Sequence, residues 1–466
     1  MHTREAGARP GRSEHRGPAW LESPVDVNAL VEPLWSRTVD RDPVGRLEVG
    51  GVPVTELARD FGTPMYVLDE RDFRERARAF HDAFEGVDVY YAGKAFLCTA
   101  VVRWAMEEGL RLDVCTGGEL AVAVRAGLPA EHIGFHGNNK SPAELRRAVE
   151  VGVGRLIVDS YDEIDRLVEL TEELGVTAHV MVRVTAGVEA HTHEYIATAH
   201  EDQKFGFSIA QGHAFEAVRR IVAAPRLELV GLHSHIGSQV FDTSGFEVAA
   251  RRVLALHAQV RDELGVTLPE LGLGGGFGIA YTTQDSPSTP AQLADGLLGM
   301  VARECKAIGI AVPRLSVEPG RAIVGPSMCT LYEVGTVKRV PLDGGASRTY
   351  VAVDGGISDN LRTALYNADY SCTLASRRSA APAVLARVVG KHCESGDILV
   401  KDEFLPGDVA PGDLIAMPGT GAYCRSLASN YNHLPRPGVV AVRDGAARLV
   451  VRPETEDDLL RLDVGP

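Results

Sequence analysis

Apolar residues recur along this chain in two alternating patterns. Short runs, most of them rich in β-branched residues, stand at 87–92, 111–114, 132–135, 155–158, 178–184, 229–232, 270–273 and 314–317. Between them, at 99–109, 118–127, 141–152, 160–174, 209–223, 245–264 and 291–309, apolar residues return every three or four positions. The first pattern predicts strands and the second helices. Several of the helical stretches open on Ser or Thr and close on Gly, as capped helices do. Eight strands alternating with helices predict a TIM-type (β/α)8 barrel. An open doubly wound sheet is the competing architecture, and it should carry a dinucleotide fingerprint in its first turn. Here the glycine-rich turn, Gly272-Leu-Gly-Gly-Gly-Phe-Gly278, comes seventh and does not match G-x-G-x-x-G.

Past residue 324 the helical period fades. Strand-like runs at 331–340, 348–353, 383–389, 413–416, 439–442 and 447–451 are separated by Gly, Pro and Asp, which predicts a mostly antiparallel β domain, a sandwich or barrel. Segment 32–62, with short strands at Arg46-Leu-Glu-Val and Val52-Pro-Val-Thr, is too small to stand alone and is expected to complete that domain. Pro64-Met-Tyr-Val-Leu-Asp then leads into a helical pattern over 70–84. The expected organisation is a disordered tail over 1–25, the first part of the β domain over 26–65, the barrel over 66–324 and the rest of the β domain over 325–466. The barrel is thus read as an insertion between two pieces of one β module.

Composition narrows the partners. The 466 residues are 45% hydrophobic and 24% charged, with a net charge of −15. That balance argues against nucleic acid and anionic membrane surfaces, which need basic patches. No run of about twenty apolar residues predicts a membrane span, and the polar first eighteen residues lack the apolar core of a secretory signal. Seven scattered cysteines without CxxC spacing read as reduced thiols, so a cytoplasmic protein is expected.

Residues with chemical potential gather where the predicted barrel strands stop. Lys94 follows the first, Asp113 ends the second, His136 and Asn138 follow the third, Asp159 the fourth, and Arg183 lies at the fifth. His233, His235 and Ser238 follow the sixth, Gly274, Gly275 and Gly276 the seventh, and Glu318-Pro-Gly-Arg321 the eighth. In a TIM barrel those ends share the catalytic face. Burial there would lower the Lys94 ammonium's pKa and free the amine to form a Schiff base with a cofactor aldehyde. The plainer alternative is a strand-end lysine solvated at the surface. Three glycines in a row let backbone N–H groups approach an anion, and Arg321 can add a bidentate charge to the same phosphate. A flexible turn is the alternative for the glycines. A carboxylate such as Glu318 beside a pyridine nitrogen would keep that ring protonated and make it the stronger electron sink. His235 could stack on the ring, or be a satisfied core histidine.

These residues carry a resemblance. Tyr91-Ala-Gly-Lys94-Ala, His233-Ser-His-Ile-Gly-Ser-Gln239, Gly274-Gly-Gly-Phe-Gly278, Glu318-Pro-Gly-Arg321, Cys393-Glu-Ser-Gly-Asp397 and Gly421-Ala-Tyr423 resemble the ordered signature of diaminopimelate decarboxylases. These are fold-type III pyridoxal-phosphate enzymes, related to ornithine and arginine decarboxylases, and the resemblance runs from about Leu47 to Tyr431. It implies pyridoxal 5'-phosphate as cofactor, Lys94 as its covalent anchor, His235 stacked on the ring, and Glu318 paired with the ring nitrogen. Ser238, Gly274, Gly275, Gly276, Gly320 and Arg321 would hold the phosphate, with Tyr423 nearby and Asp113 behind Lys94. Arg321, Arg362, Tyr366, Glu394 and Tyr423 would contact the substrate, and Cys393 would return a proton to the carbanion. Without its neighbours Cys393 would read as a small buried hydrophobe. The family's site lies between subunits, so a homodimer is implied, with Cys393 and Glu394 reaching the second subunit's Lys94.

The expected reaction is decarboxylation of meso-2,6-diaminopimelate to L-lysine, the last step of lysine biosynthesis. The stretch Gly187-Val-Glu-Ala-His191-Thr-His193-Glu-Tyr-Ile, followed by Lys204-Phe-Gly, resembles the substrate-covering loop of the diaminopimelate subgroup. Glu394 suits a distal ammonium and Arg362 a distal carboxylate, which ornithine lacks. Two departures stand out: Asn360-Leu361 precedes Arg362 where the family often has proline, and Thr198-Ala-His200 replaces the more usual Thr-Gly. The alternatives are a decarboxylase of another basic amino acid and, more distantly, a metal-dependent barrel hydrolase using His191-x-His193 and His233-x-His235 as zinc ligands.

Overall fold

A computed structural model of the chain describes residues 17–187, 204–241, 244–342 and 347–465. Eight parallel strands close on themselves: Asp88–Ala92, Arg111–Val114, Ile133–Phe135, Arg155–Val158, Ala178–Thr185, Leu227–His233, Glu270–Gly272 and Arg314–Val317. The ring is completed where Ser316 pairs with Asp88 and where Leu156 pairs with Val180. This is the predicted (β/α)8 barrel. A two-residue strand, Phe207–Ser208, adds to the outer end of the fifth barrel strand.

The helices between the strands start and stop where their caps dictate. Thr116, Ser141 and Ser160 each accept a backbone N–H from the third residue of the helix that follows, and Glu144 completes a capping box with Ser141. Gly127, Gly152 and Gly175 end the same helices in the left-handed conformation. Each such side-chain cap stabilises its helix by about 1 kcal/mol. The helix faces pack on the barrel; Phe73, from helix Glu70–Ala83, meets Tyr91 edge-on at 5.5 Å.

A second, mostly antiparallel sheet runs in the order Ile398–Pro406, Ala383–Val389, Ser347–Val353, Met328–Pro341, Met65–Asp69, Gly438–Arg443, Ala446–Val451, with Leu414–Met417 also paired to Met328–Pro341. Two of its pairings are parallel, Ser347–Val353 with Ala383–Val389 and Met65–Asp69 with Gly438–Arg443. Met65–Asp69 differs from its sequence reading as a lead-in to the barrel. It is a fully buried central strand of this sheet, held by the C-terminal half of the chain on both sides. Ile398–Pro406 is a strand that the sequence pattern did not predict.

The two sheets meet beside Lys94. The backbone N–H of Tyr423 and the hydroxyl of Ser426 both donate to the carbonyl of Ala95, at 2.9 and 3.0 Å. Tyr423 adopts φ +71°, a left-handed conformation that costs a bulky residue about 1–3 kcal/mol and must be imposed by its surroundings. Among the described residues no helix is long and apolar enough to cross a membrane.

Candidate active site

The carboxyl ends of the barrel strands open into a cavity of about 720 Å³, roofed on one side by the second sheet's connections. Ten of the residues picked out from sequence line it: Lys94, His235, Ser238, Gly276, Glu318, Gly320, Arg321, Arg362, Tyr366 and Tyr423. Lys94 sits in the tight turn Gly93–Ala95 directly after the first strand, its side chain open to the cavity.

Below Lys94 lies a buried polar floor. Glu318 Oε1 is 2.8 Å from His233 Nε2 and 3.4 Å from His136 Nε2, and His136 Nε2 is 3.5 Å from Asp113 Oδ1. Burial alone would push Glu318 up, but the neighbouring His233 and His136 rings and the His233 hydrogen bond outweigh it and hold Glu318 well below the usual carboxylate range. Asp113 moves the other way: burial, and then the Glu318 carboxylate, push it well up against the pull of Lys94. Glu318 is the more acidic member of the pair and Asp113 the less acidic. Lys94 corrects a sequence expectation. Burial lowers its pKa, but Tyr423, Asp113 and Glu318 together more than reverse that, so the amine stands above its ordinary value as an ammonium.

His235 is neutral. Burial, with Lys94 and Arg183 close by, holds it well below the ordinary imidazole value, and its Nδ1 accepts the Gly275 N–H at 3.1 Å. That bond uses a donor which the sequence reading offered to an anion. The glycines answer first to packing: a Cβ on Gly274 would lie 2.7 Å from the Ser234 carbonyl oxygen, on Gly275 2.1 Å from that of Glu318, and on Gly276 2.3 Å from that of Gly237. Gly276 alone of the three lines the cavity.

Two buried arginines form the opposite wall. Arg321 donates from Nη2 to Ser238 Oγ at 2.8 Å and from Nη1 to the Tyr281 hydroxyl at 2.5 Å, and lies 4.8 Å from the centre of the Tyr423 ring. Arg362, at the start of the short helix Arg362–Tyr366, donates to the Tyr370 hydroxyl at 2.5 Å. The Nε of each arginine is buried without a protein partner. Both guanidiniums line the cavity, where a phosphate or carboxylate can pair with them. Sequence reasoning missed Tyr281 and Tyr370; Phe205, from the Lys204-Phe-Gly stretch, lines the cavity with its ring 4.4 Å from the Arg183 guanidinium. An aromatic residue shortly after the glycine turn was the available signal for Tyr281.

Cys393 and Glu394 stand apart. Both are exposed and neither lines this cavity. Their turn is nonetheless well fixed: Asp397 accepts the N–H groups of Ile357 and His392 at 2.7 and 2.8 Å, and His392 Nε2 lies 2.8 Å from Ser358 Oγ. Asp113, Gly274 and Gly275 lie behind the lining. His191, His193 and the departure at Thr198-Ala-His200 fall outside the described residues. The second HxH pair does not converge: His233 joins Glu318 and His136, while His235 faces the Gly275 N–H.

Comparison with known proteins gives this geometry a family. A family described as "Pyridoxal-dependent decarboxylase, pyridoxal binding domain" matches residues 70–325. The diaminopimelate decarboxylase of Mycobacterium tuberculosis is 57% identical over 93% of this chain and 98% of its own length. That of Bacillus subtilis is 46% identical over 90% and 95%. The chain belongs to the diaminopimelate decarboxylase family. The crystal structure of an M. jannaschii diaminopimelate decarboxylase in complex with L-lysine superposes with a TM-score of 0.86 at 31% identity, covering 92% of this chain and 98% of that one. As a pyridoxal-dependent diaminopimelate decarboxylase family member, the enzyme is a carboxy-lyase whose cofactor is pyridoxal 5'-phosphate. The cavity suits that group: an amine, a buried carboxylate and two arginines line one space.

Proposed function

We propose that the enzyme decarboxylates meso-2,6-diaminopimelate to L-lysine and carbon dioxide, the last step of lysine biosynthesis, in the cytoplasm. The observation that carries the reading is the pair of buried arginines, Arg321 and Arg362, sharing a cavity with Lys94 and Glu318. The substrate is a long amino acid with an ammonium and a carboxylate at each end, and a guanidinium is the natural grip on the carboxylate that does not react.

Lys94 would hold the cofactor, with Asp113 behind it and the neutral His235 ring beside it. Ser238, Gly274, Gly275, Gly276, Gly320 and Arg321 would surround the phosphate, and Glu318 would face the ring nitrogen and keep it protonated. When bound, pyridoxal phosphate supplies the electron sink for the carbanion left as carbon dioxide departs. Arg362, with Arg321, Tyr366 and Tyr423, would orient the distal carboxylate, so that the reacting carboxylate stands over the sink. Cys393 would deliver a proton to the reacting carbon, and Glu394 would take the distal ammonium. Because both stand outside their own chain's cavity, this reading requires a homodimer in which each subunit's turn enters the other's site.

Product analysis tests the reading. Cofactor-loaded enzyme is given meso-diaminopimelate, ornithine, arginine and lysine in separate tubes, and carbon dioxide and amine are followed. L-Lysine from diaminopimelate alone, abolished in Lys94→Ala, is the expected result. A diamine such as putrescine from ornithine would overturn the substrate assignment and leave the cofactor chemistry standing.

A further inference from the structure

The two arginines share a neighbour. Tyr281 lies in the loop after the seventh barrel strand and is 7% exposed. Its hydroxyl accepts from Arg321 Nη1 at 2.5 Å, and its ring centre is 4.6 Å from the Arg362 guanidinium. Arg321 comes from the end of the barrel and Arg362 from the second sheet's connections, so one side chain joins guanidiniums from two parts of the molecule. Tyr281 is itself fixed. Its backbone N–H donates to Asp285 Oδ2 at 2.9 Å, and the Tyr370 ring meets it edge-on at 5.0 Å.

Two cations held close together repel each other and tend to swing apart into solvent. A phenol oxygen on one and an aromatic face under the other oppose that tendency and leave each planar fork pointing one way. Each arginine commits one Nη to a tyrosine, and Arg321 commits its other Nη to Ser238.

We infer that Tyr281 is a positioning residue that aligns Arg321 and Arg362 as one carboxylate clamp and so sets the preference for a substrate with a distal carboxylate. The inference rests on the diaminopimelate reading above. Tyr281 lines the same cavity, and the role assigned to it is exerted through the two arginines.

The test uses full-length, cofactor-loaded enzyme and two competitive inhibitors of diaminopimelate turnover: L-lysine, which keeps the distal carboxylate, and cadaverine, which is lysine without it. In Tyr281→Leu, the Ki for lysine and the KM for diaminopimelate rise about tenfold or more, the loss expected for a buried charge-assisted contact, while the Ki for cadaverine stays within about twofold. Tyr281→Phe, which keeps the ring and loses the hydroxyl, gives the same split at smaller size. It carries the test should Tyr281→Leu fail to fold. A merely structural role would weaken both inhibitors together. An equal loss for both, or no change in either, overturns the inference. Arg362→Met separates the two levels. If it too leaves the lysine-to-cadaverine ratio at the wild-type value, the clamp reading falls and this inference with it. If it collapses the ratio and the Tyr281 variants do not, only the role of Tyr281 falls.

Discussion

His233 Nε2 lies 2.8 Å from Glu318 Oε1, with both side chains buried beneath the cavity. This contact joins the ends of the sixth and eighth barrel strands, and it helps keep the Glu318 carboxylate ionised where burial would otherwise protonate it. His233→Ala therefore raises the Glu318 pKa. The acidic limb of the pH profile of kcat/KM moves to higher pH, and activity below that limb falls about tenfold for each pH unit. Steady-state rates from the lowest pH at which the wild type stays folded up to pH 9, with cofactor content followed by absorbance, check this. An unshifted acidic limb would remove His233 from this role.

Gly275 and Gly118 make opposite predictions for the same substitution. A methyl on Gly275 meets the Glu318 carbonyl oxygen at 2.1 Å, and the two strand ends must separate to admit it. Gly275→Ala is expected to cost about 3 kcal/mol or more and to weaken cofactor retention. Gly118 is an exposed helical residue whose nearest neighbour would be the Thr116 hydroxyl at 3.7 Å. Gly118→Ala should stabilise by up to about 1 kcal/mol. Urea unfolding of both variants measures the contrast.

Cys393 stands on an exposed turn outside its own cavity. If the site is completed by a second subunit, Lys94→Ala and Cys393→Ala are each inactive alone and complement when mixed. Random reassortment of a dimer makes half of the dimers mixed, each with one intact site, so activity returns to about a quarter of the wild-type value. Rates measured after dissociation and reassociation decide it. No recovery, from variants shown to exchange subunits, would place Cys393 in its own chain's site or outside catalysis.

Asp359 links acidity to stability. It is buried, accepts the Tyr332 hydroxyl and the Gly356 N–H, and burial pushes its carboxyl up to about 7. In the unfolded chain it titrates near 3.9. Between about pH 4 and 7 the folded state holds a proton that the unfolded state has lost. Stability from this group is therefore fully present below pH 4 and declines as pH rises through 7, by about 1.4 kcal/mol per unit. Asp359→Asn removes that slope. Melting curves at pH 5, 6, 7 and 8 should show the variant gaining on the wild type as pH rises.

The barrel was legible because each of its strands is a short apolar run and each helix a three-to-four-residue rhythm with caps at its ends. Ile398–Pro406 escaped because Lys401-Asp402-Glu403 interrupts its apolar character. Those charges are met from outside the strand, Lys401 by the Asn367 carbonyl at 2.6 Å and Asp402 by Arg348 at 3.0 Å, and no periodicity reports that. Met65–Asp69 was misread as a lead-in because nothing local tells a central strand from an approach. In the site, the strand-end phase of the barrel brought Lys94, His235, Glu318 and Arg321 forward. The raised pKa of Lys94 was not legible: Tyr423, Asp113 and Glu318, which act against burial there, arrive from elsewhere in the chain. Tyr281 and Tyr370 sit in irregular loops, where position follows from tertiary contacts alone.

Met65–Asp69 has one neighbour at Met328–Pro341 and the other at Gly438–Arg443. During synthesis this apolar segment leaves the ribosome early and waits, with both of its edges bare, while the whole barrel emerges and closes through neighbouring segments. Its last partner appears only near the end of translation. The nascent chain therefore carries a sticky, strand-forming stretch for most of its production, the kind of segment that invites aggregation or chaperone capture. A ribosome stalled before residue 438 would leave a finished barrel tethered to an unfinished sheet.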